Sequence, residues 1–329
     1  MYNFCTLFNT KYLSRGLALY HSLKNVCNDF HLYIFAFDDQ TYAILNKLQL
    51  PDTTIISLSQ FEDKDLLSVK SGRTITEYCW TATPATIYYV IKNFDVESCT
   101  YIDADIYFYL SPKIIFDELG DNSILITEHR FSREYRKEEK LNGRYCVQFI
   151  TFKNDEYGLG ALIWWKNQCI NWCYNRIENG KFGDQKYLDD WTTRFKKVHV
   201  LQHLGCGLAG WNISQYKFYK VNDDFYGLEK KSGLRFDVVF YHFHYIRYYT
   251  NGKLQLGARI ISESAKEYFY RPYLKELDEI KQKIVKINPQ IDPHGTEEQV
   301  YNWKTPLSYL KRKIIGTHNV YKLEDFSKQ

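Results

Sequence analysis

Tyr101-Ile102-Asp103-Ala104-Asp105-Ile106-Tyr107 sets two carboxylates two residues apart at the end of an apolar run. If residues 99–103 form a strand, side-chain alternation sends both acids to the same side. Two like charges held together away from water are costly unless a cation lies between them. A hard divalent ion bound by one or two carboxylates completes its shell with water and phosphate oxygens. The pattern therefore suits an enzyme whose leaving group is a nucleoside diphosphate. The plain alternative is a strand-end pair that caps the next turn, because Asp-x-Asp is a common spacing.

Upstream of this segment the sequence alternates between two periods. Residues 2–8 read as a buried strand, 31–37 as a second, apolar strand and 53–58 as a third, and 12–26, 39–48 and 77–93 read as helices. Such alternation predicts an α/β fold, a mostly parallel central sheet with helices on both faces. In these sheets ligands bind beyond the carboxyl ends of the strands. The acidic pair stands at such an end.

Downstream, strands are expected at 123–127, 145–152, 197–201 and 236–242, with a Trp-rich helix over 157–177. From about residue 251 the character changes. A charged helix near 261–286 leads to a stretch punctuated by Pro289, Pro293 and Gly295, then to a basic, aromatic tail. This divides the chain into a catalytic domain, 1–250, and a helical C-terminal extension, 251–329.

Phe240-Tyr241-His242-Phe243-His244-Tyr245-Ile246-Arg247 ends another apolar run. His242 and His244 share strand parity, so spacing cannot choose between them as metal ligands. Imidazole mixed with carboxylates suits Mn²⁺ or a similar ion such as Mg²⁺. Arg247 could hold a diphosphate. A pair of hydrogen-bonded histidines is the bland reading of the same residues. Glu128-His129-Arg130 follows a strand and reads either as pocket lining or as an exposed turn. His203-Leu204-Gly205-Cys206-Gly207-Leu208-Ala209-Gly210-Trp211-Asn212 is glycine-rich but lacks the Lys-Ser/Thr of a phosphate loop. It reads as a flexible acceptor loop or a plain connection.

Bulk composition removes some classes. The 329 residues carry 43 basic and 39 acidic side chains, a near balance that argues against a polybasic nucleic-acid binder. No segment approaches the ~18 to 20 continuous apolar residues of a membrane span. The start, Met1-Tyr2-Asn3-Phe4-Cys5, has no basic region before an apolar stretch, so a cytoplasmic location is expected. Eight scattered cysteines without a C-x-x-C fit reduced core thiols; Cys169 and Cys173, one helical turn apart, lack a second pair for zinc. The tail Tyr309-Leu310-Lys311-Arg312-Lys313-Ile314-Ile315 mixes cations with apolar residues, and could rest on the inner face of an anionic membrane. A solvated helix end is the bland reading.

Taken together, and in this order, residues 2–250 resemble the retaining GT-A glycosyltransferases of family 8, which include glycogenin and bacterial lipopolysaccharide galactosyltransferases. The resemblance runs through Asn9-Thr10-Lys11-Tyr12 after the first strand, Asp103-Ala104-Asp105, Gly183-Asp184-Gln185-Lys186-Tyr187-Leu188, and His242-Phe243. It implies a UDP-sugar donor and a glycan or lipid-linked glycan acceptor, in lipopolysaccharide or other surface polysaccharide synthesis. It further implies that Asn9 and Tyr12 hold the base, and that Asp103, Asp105 and His242 bind metal, with His244 as substitute. Asp184 and Gln185 would face the donor sugar. Three departures stand out. Thr81-Ala82-Thr83-Pro84-Ala85-Thr86 replaces a helix arginine, and Val147-Gln148-Phe149 replaces Asn-Ala-Gly, leaving Gln148 either as the sugar contact there or without a role. Tyr245 stands where the family has glycine, and no Lys-Pro-Trp follows.

Retention through a covalent intermediate requires a nucleophilic carboxylate. Gln185 is a poor nucleophile, so front-side attack is the favoured route. Inversion would need a carboxylate base, for which Asp184, Asp189, Asp190 and Glu128 are available. Two rivals remain in other classes. A sugar nucleotidyltransferase would need a Gly-rich, Arg-containing loop where Thr6-Leu7-Phe8-Asn9-Thr10-Lys11 stands. A non-catalytic nucleotide- or glycan-binding module would be expected to have lost metal ligands.

Overall fold

The structure is a computed structural model and describes residues 1–222, 224–300 and 305–327. Its strands, in chain order, are β1 (Tyr2–Phe8), β2 (Phe30–Ala36), β3 (Thr53–Ser57), β4 (Ser98–Ile102), β5 (Ile106–Phe108), β6 (Ile124–Glu128), β7 (Tyr145–Lys153) and β8 (Val198–Val200). They continue as β9 (Leu208–Ala209), β10 (Tyr216–Val221), β11 (Asp224–Glu229), β12 (Arg235–Asp237), β13 (Phe240–His242), β14 (Arg247–Tyr248), β15 (Lys253–Gln255) and β16 (Val320–Lys322). The residues sort into two compact units. The first comprises Met1–Asn9, Lys24–Ala104 and Ser111–His203; the second comprises Thr10–Leu23, Asp105–Leu110 and the described residues from Leu204 onward.

The first unit is built on a seven-stranded sheet in the order β3-β2-β1-β4-β7-β6-β8. Only β7 runs against its neighbours, pairing antiparallel with β4 and β6, so the sheet is mostly parallel as expected. The strands β1, β2 and β7 are buried along nearly their whole length, as strands covered on both faces must be. The helix Asp39–Leu48 starts where Asp38 accepts the Thr41 N–H at 2.7 Å. The helix Ile75–Asn93 opens with a capping box, Thr74 and Glu77 bonding each other's backbone. Both helices of the pair Ile75–Asn93 and Glu156–Asn171 contribute to one core cluster with Trp165 and Trp191, each fully buried.

The expected Trp-rich helix over 157–177 ends early, at Asn171. Trp172 turns out of it into extended backbone, and its buried ring is covered by the Arg176 and Lys181 cations. Apolar composition therefore continued past the helix that it was expected to mark.

The second unit holds three small sheets, ordered β10-β11-β12, β5-β13-β9 and β14-β15-β16. The single strand expected at 236–242 is two strands: Phe236 pairs with Gly227 of β11, whereas Phe240 pairs with Phe108 of β5. One apolar run serves two sheets. The charged helix exists, but opens as Glu263–Ala265, passes through a π-turn at Lys266–Tyr270, and continues as Arg271–Ile287. Tyr273, Leu274, Leu277, Ile280 and Ile284 are its buried residues, a spacing that places them on one face. Tyr273 stacks flat on Phe243 at 3.7 Å between ring centres. Residue 250 is not a gap in the bonding of this unit. Ser14 N–H donates to Pro293 O at 3.0 Å, and β16 adds to the sheet edge of β15.

Candidate metal and donor site

The strand β4 stops at Ile102, so Asp103 and Asp105 lie in the turn between β4 and β5 and not on a strand. Strand parity therefore does not orient them, contrary to the expectation from their spacing. Each acid is fixed by other means. The Asp103 N–H donates to Gln148 O at 2.9 Å, and the Tyr101 hydroxyl donates to Asp103 Oδ1 at 3.0 Å. Asp105 is buried and its carbonyl accepts the Phe243 N–H at 3.0 Å.

His242, the last residue of β13, is buried with its Nε2 3.0 Å from Asp105 Oδ1. Burial alone would raise the pKa of Asp105. The charges of His242, His244 and Arg15 outweigh it and hold the carboxyl below its ordinary value. His244 falls outside β13, at φ +27, and is exposed. The two histidines thus do not share a strand face, and the structure separates what spacing could not: His242 points into the protein beside Asp105. Asp103 precedes Asp105 by two residues, and Asp103, Asp105 and His242 make a set of two carboxylates and an imidazole that could hold a metal ion. Oxygen and imidazole donors in that mixture fit a hard to borderline divalent cation.

Trp211 and Arg15 complete the surroundings in the second unit, and neither was singled out for this from the sequence. The indole of Trp211 meets His242 edge-on at 5.3 Å and His244 at 5.3 Å. The Gly-rich stretch that carries it is tied down. Ala209 pairs with His242 across β9 and β13, while the fully buried Asn212 accepts the Ala209 N–H at 3.0 Å and donates to Gly207 O at 2.8 Å. An amide side chain thus closes the turn within this stretch. Arg15, 4% exposed, donates to the carbonyls of Lys11, His294 and Ile246 at 3.1, 3.0 and 2.7 Å. Its guanidinium also lies over the exposed ring of Tyr12 at 4.6 Å.

In the first unit Asn9 follows directly on β1 and is partly exposed. Asp184 is buried, its carbonyl held by the Trp165 indole N–H at 2.9 Å. Burial and the nearby charge of Asp103 push the Asp184 carboxyl up to about 8. Gly183, just before it, has φ +53 and lies so close to Trp80 that a β-carbon would sit 3.3 Å from the indole. Gln185 Nε2 donates to Asn142 O at 2.7 Å, and Gln148 is fully buried in β7. Of the other acids named as possible bases, Glu128 is paired with Arg144, Asp189 with Lys186 and Asp190 with Arg194. Arg247 is paired with Glu297 at 2.7 Å. All eight cysteines are free thiols, seven of them buried.

No protein-family model matches the chain. Among solved structures it resembles the galactosyltransferase LgtC in complex with donor and acceptor sugar analogues, with a TM-score of 0.54, 10% identity, and coverage of 84% of this chain and 95% of that one. An active-site mutant of LgtC gives a TM-score of 0.53 at 10% identity, with the same coverages. The fold is thus that of the GT-A glycosyltransferases, as the resemblance to family 8 implied. Two uncharacterised proteins of Bacillus subtilis (strain 168) are similar in sequence. YfnD is 31% identical over 281 residues, 84% of this chain and 88% of its own length. YfnF is 31% identical over 305 residues, 90% of this chain and 98% of its own length. Identity at that level over nearly the whole of both proteins means that this GT-A-fold chain belongs to the family of YfnD and YfnF.

Proposed function

We propose that the protein transfers a sugar from a nucleotide-diphosphate sugar, a UDP-sugar first, to a glycan or lipid-linked glycan, in the synthesis of bacterial surface polysaccharide. The observation that carries this reading is the buried Asp105–His242 pair with Asp103 two residues upstream, on a GT-A fold. Asp103, Asp105 and His242 would hold Mn²⁺ or Mg²⁺. Such an ion supplies positive charge against the leaving diphosphate. A non-catalytic module would be expected to have lost part of this donor set, and all three residue types are present.

The remaining roles follow the order of the chain. Asn9 and Tyr12 take the base; the exposed Tyr12 ring, backed by Arg15, is suited to stacking. Asp184 and Gln185 face the donor sugar, and Gln148 fixes Asp103 through its main-chain carbonyl. Arg247 reaches the diphosphate only by exchanging Glu297 for phosphate. Retention is favoured. Gln185 is a poor nucleophile; of the four acids named as possible bases, Glu128, Asp189 and Asp190 are paired with cations, and Asp184, its carboxyl pushed up to about 8, holds its proton at neutral pH. The acceptor hydroxyl then passes its proton to the departing phosphate. The C-terminal basic segment would rest on the inner face of the membrane, where lipid-linked acceptors are met.

The test is calorimetric titration of UDP, with and without Mn²⁺, into wild type and Asp105→Ala. Binding that requires both the ion and Asp105 supports the reading. Absence of binding moves the search to GDP, CMP and dTDP, and silence across that series would leave the non-catalytic alternative.

A further inference from the structure

We propose that His244 hydrogen-bonds the donor diphosphate, presenting an imidazole N–H from the solvent side of the Asp105–His242 pair. This rests on the function proposed above and adds a binding residue to it.

Three side chains able to carry positive charge bear on the Asp105 carboxylate within the second unit: His242, His244 and Arg15. His242 is buried at 3.0 Å from it, the place of a metal ligand. Arg15 is also buried and directs its guanidinium at three main-chain carbonyls, those of Lys11, His294 and Ile246. His244 alone of the three faces solvent. Its ring centre is 5.6 Å from that of His242. The Trp211 indole lies 5.3 Å from both imidazoles in T-shaped contact, so one indole packs against the buried ring and the exposed one.

The backbone at His244 points the same way. At φ +27 it adopts a conformation that side chains other than glycine rarely take. The Tyr245 N–H closes the turn onto Phe243 O. A residue kept in such a conformation beside a binding site is commonly there for its side chain. Neutral imidazole retains one N–H donor, so the contact requires no protonation. Arg247, the other candidate for the diphosphate, is paired with Glu297 and lies over the Tyr245 ring at 4.7 Å.

The experiment compares wild type, His244→Gly and His244→Asn. Mn²⁺ and Mn²⁺-UDP binding are measured by calorimetry, and uridine binding by ligand-observed NMR. Loss of one hydrogen bond to a charged phosphate should weaken UDP by about 10- to 100-fold in His244→Gly. Uridine and Mn²⁺ affinities should stay within about twofold, because neither contact involves the phosphates. His244→Gly should also melt no lower than wild type, since glycine accepts the turn without strain. His244→Asn tolerates a left-handed backbone and carries an amide N–H, so it should recover part of the UDP affinity. Unchanged UDP binding, or equal loss for UDP and uridine, overturns the assignment. A fall in Mn²⁺ affinity alone would make His244 a metal ligand and also overturn it. A wild type that binds neither UDP nor uridine defeats the functional reading itself.

Discussion

His242 Nε2 lies 3.0 Å from Asp105 Oδ1, and both side chains are at least nine-tenths buried. A carboxylate in so dry a place is costly unless charge or hydrogen bonds answer it. The charges of His242, His244 and Arg15, with the His242 hydrogen bond, provide that answer.

Asp105→Asn tests this directly. The amide keeps the shape and a hydrogen bond to His242 but removes the charge that an ion would need. Mn²⁺ affinity should fall at least about tenfold. Turnover with a competent donor should fall ~100- to 1000-fold, the usual consequence of removing one electrostatic contact to the leaving group. Calorimetry of Mn²⁺ and single-turnover kinetics are the readouts; retained metal dependence would show that the ion is bound elsewhere.

Asp184 carries the pH dependence. Its carboxyl is pushed from 3.8 to about 8, first by burial and then by the charge of Asp103. The folded state thus holds the proton more tightly than the unfolded chain does. The favourable contribution is complete below about pH 4 and is lost as pH rises through about 8. A tenfold change in proton affinity is worth ~1.4 kcal/mol, so the loss amounts to several kcal/mol. Asp184→Asn has no charge to bury, so its stability relative to wild type should climb between pH 4 and pH 8 while catalysis falls. Urea denaturation at pH 5, 6.5 and 8 measures the slope. Parallel curves for the two proteins would rule out a buried, proton-holding Asp184.

How far the sequence could be read depended on what each residue's surroundings were. Continuous apolar strands such as β1 and β2 were legible because both faces are covered, and the helix Asp39–Leu48 because Asp38 caps it locally. The residue types that could form a metal set were named from the sequence too. Their geometry was not, since Asp103 and Asp105 follow the strand and are held by Tyr101, Gln148 and Phe243. Spacing treated His242 and His244 alike; a left-handed backbone at His244 turns one inward and the other out. Arg15 left no local mark at all, because its carbonyl partners His294 and Ile246 are 279 and 231 residues away in the chain.

That distance makes Arg15 a test of how the second unit holds together. Arg15→Met preserves much of the stem but leaves three carbonyl contacts unanswered, two of them buried. Each unsatisfied buried polar group costs ~1–3 kcal/mol, so a loss of about 2 kcal/mol or more is expected. The melting temperature should drop by several degrees, and proteolysis near Pro293 should become faster. A variant that melts with wild type and resists the protease would mean that the cluster contributes little.

The tail offers the last prediction. In the helix Thr305–Ile314, Leu307, Leu310 and Ile314 are 66%, 58% and 77% exposed and follow one another at helical spacing. Lys311, Arg312 and Lys313 end the same helix. No helix among the described residues is long and apolar enough to cross a membrane, so a contact through this segment would be interfacial. An apolar stripe flanked by cations binds an anionic surface through both, with each cation near the surface worth about 1 kcal/mol. Wild type should sediment with vesicles containing phosphatidylglycerol and leave them as salt is raised, since screening removes the electrostatic share. Leu310→Glu should bind far less at any salt, because it breaks the stripe and adds repulsion. Equal binding to neutral and anionic vesicles would argue against a charge-guided contact, and equal binding by wild type and Leu310→Glu would place the contact off this helix.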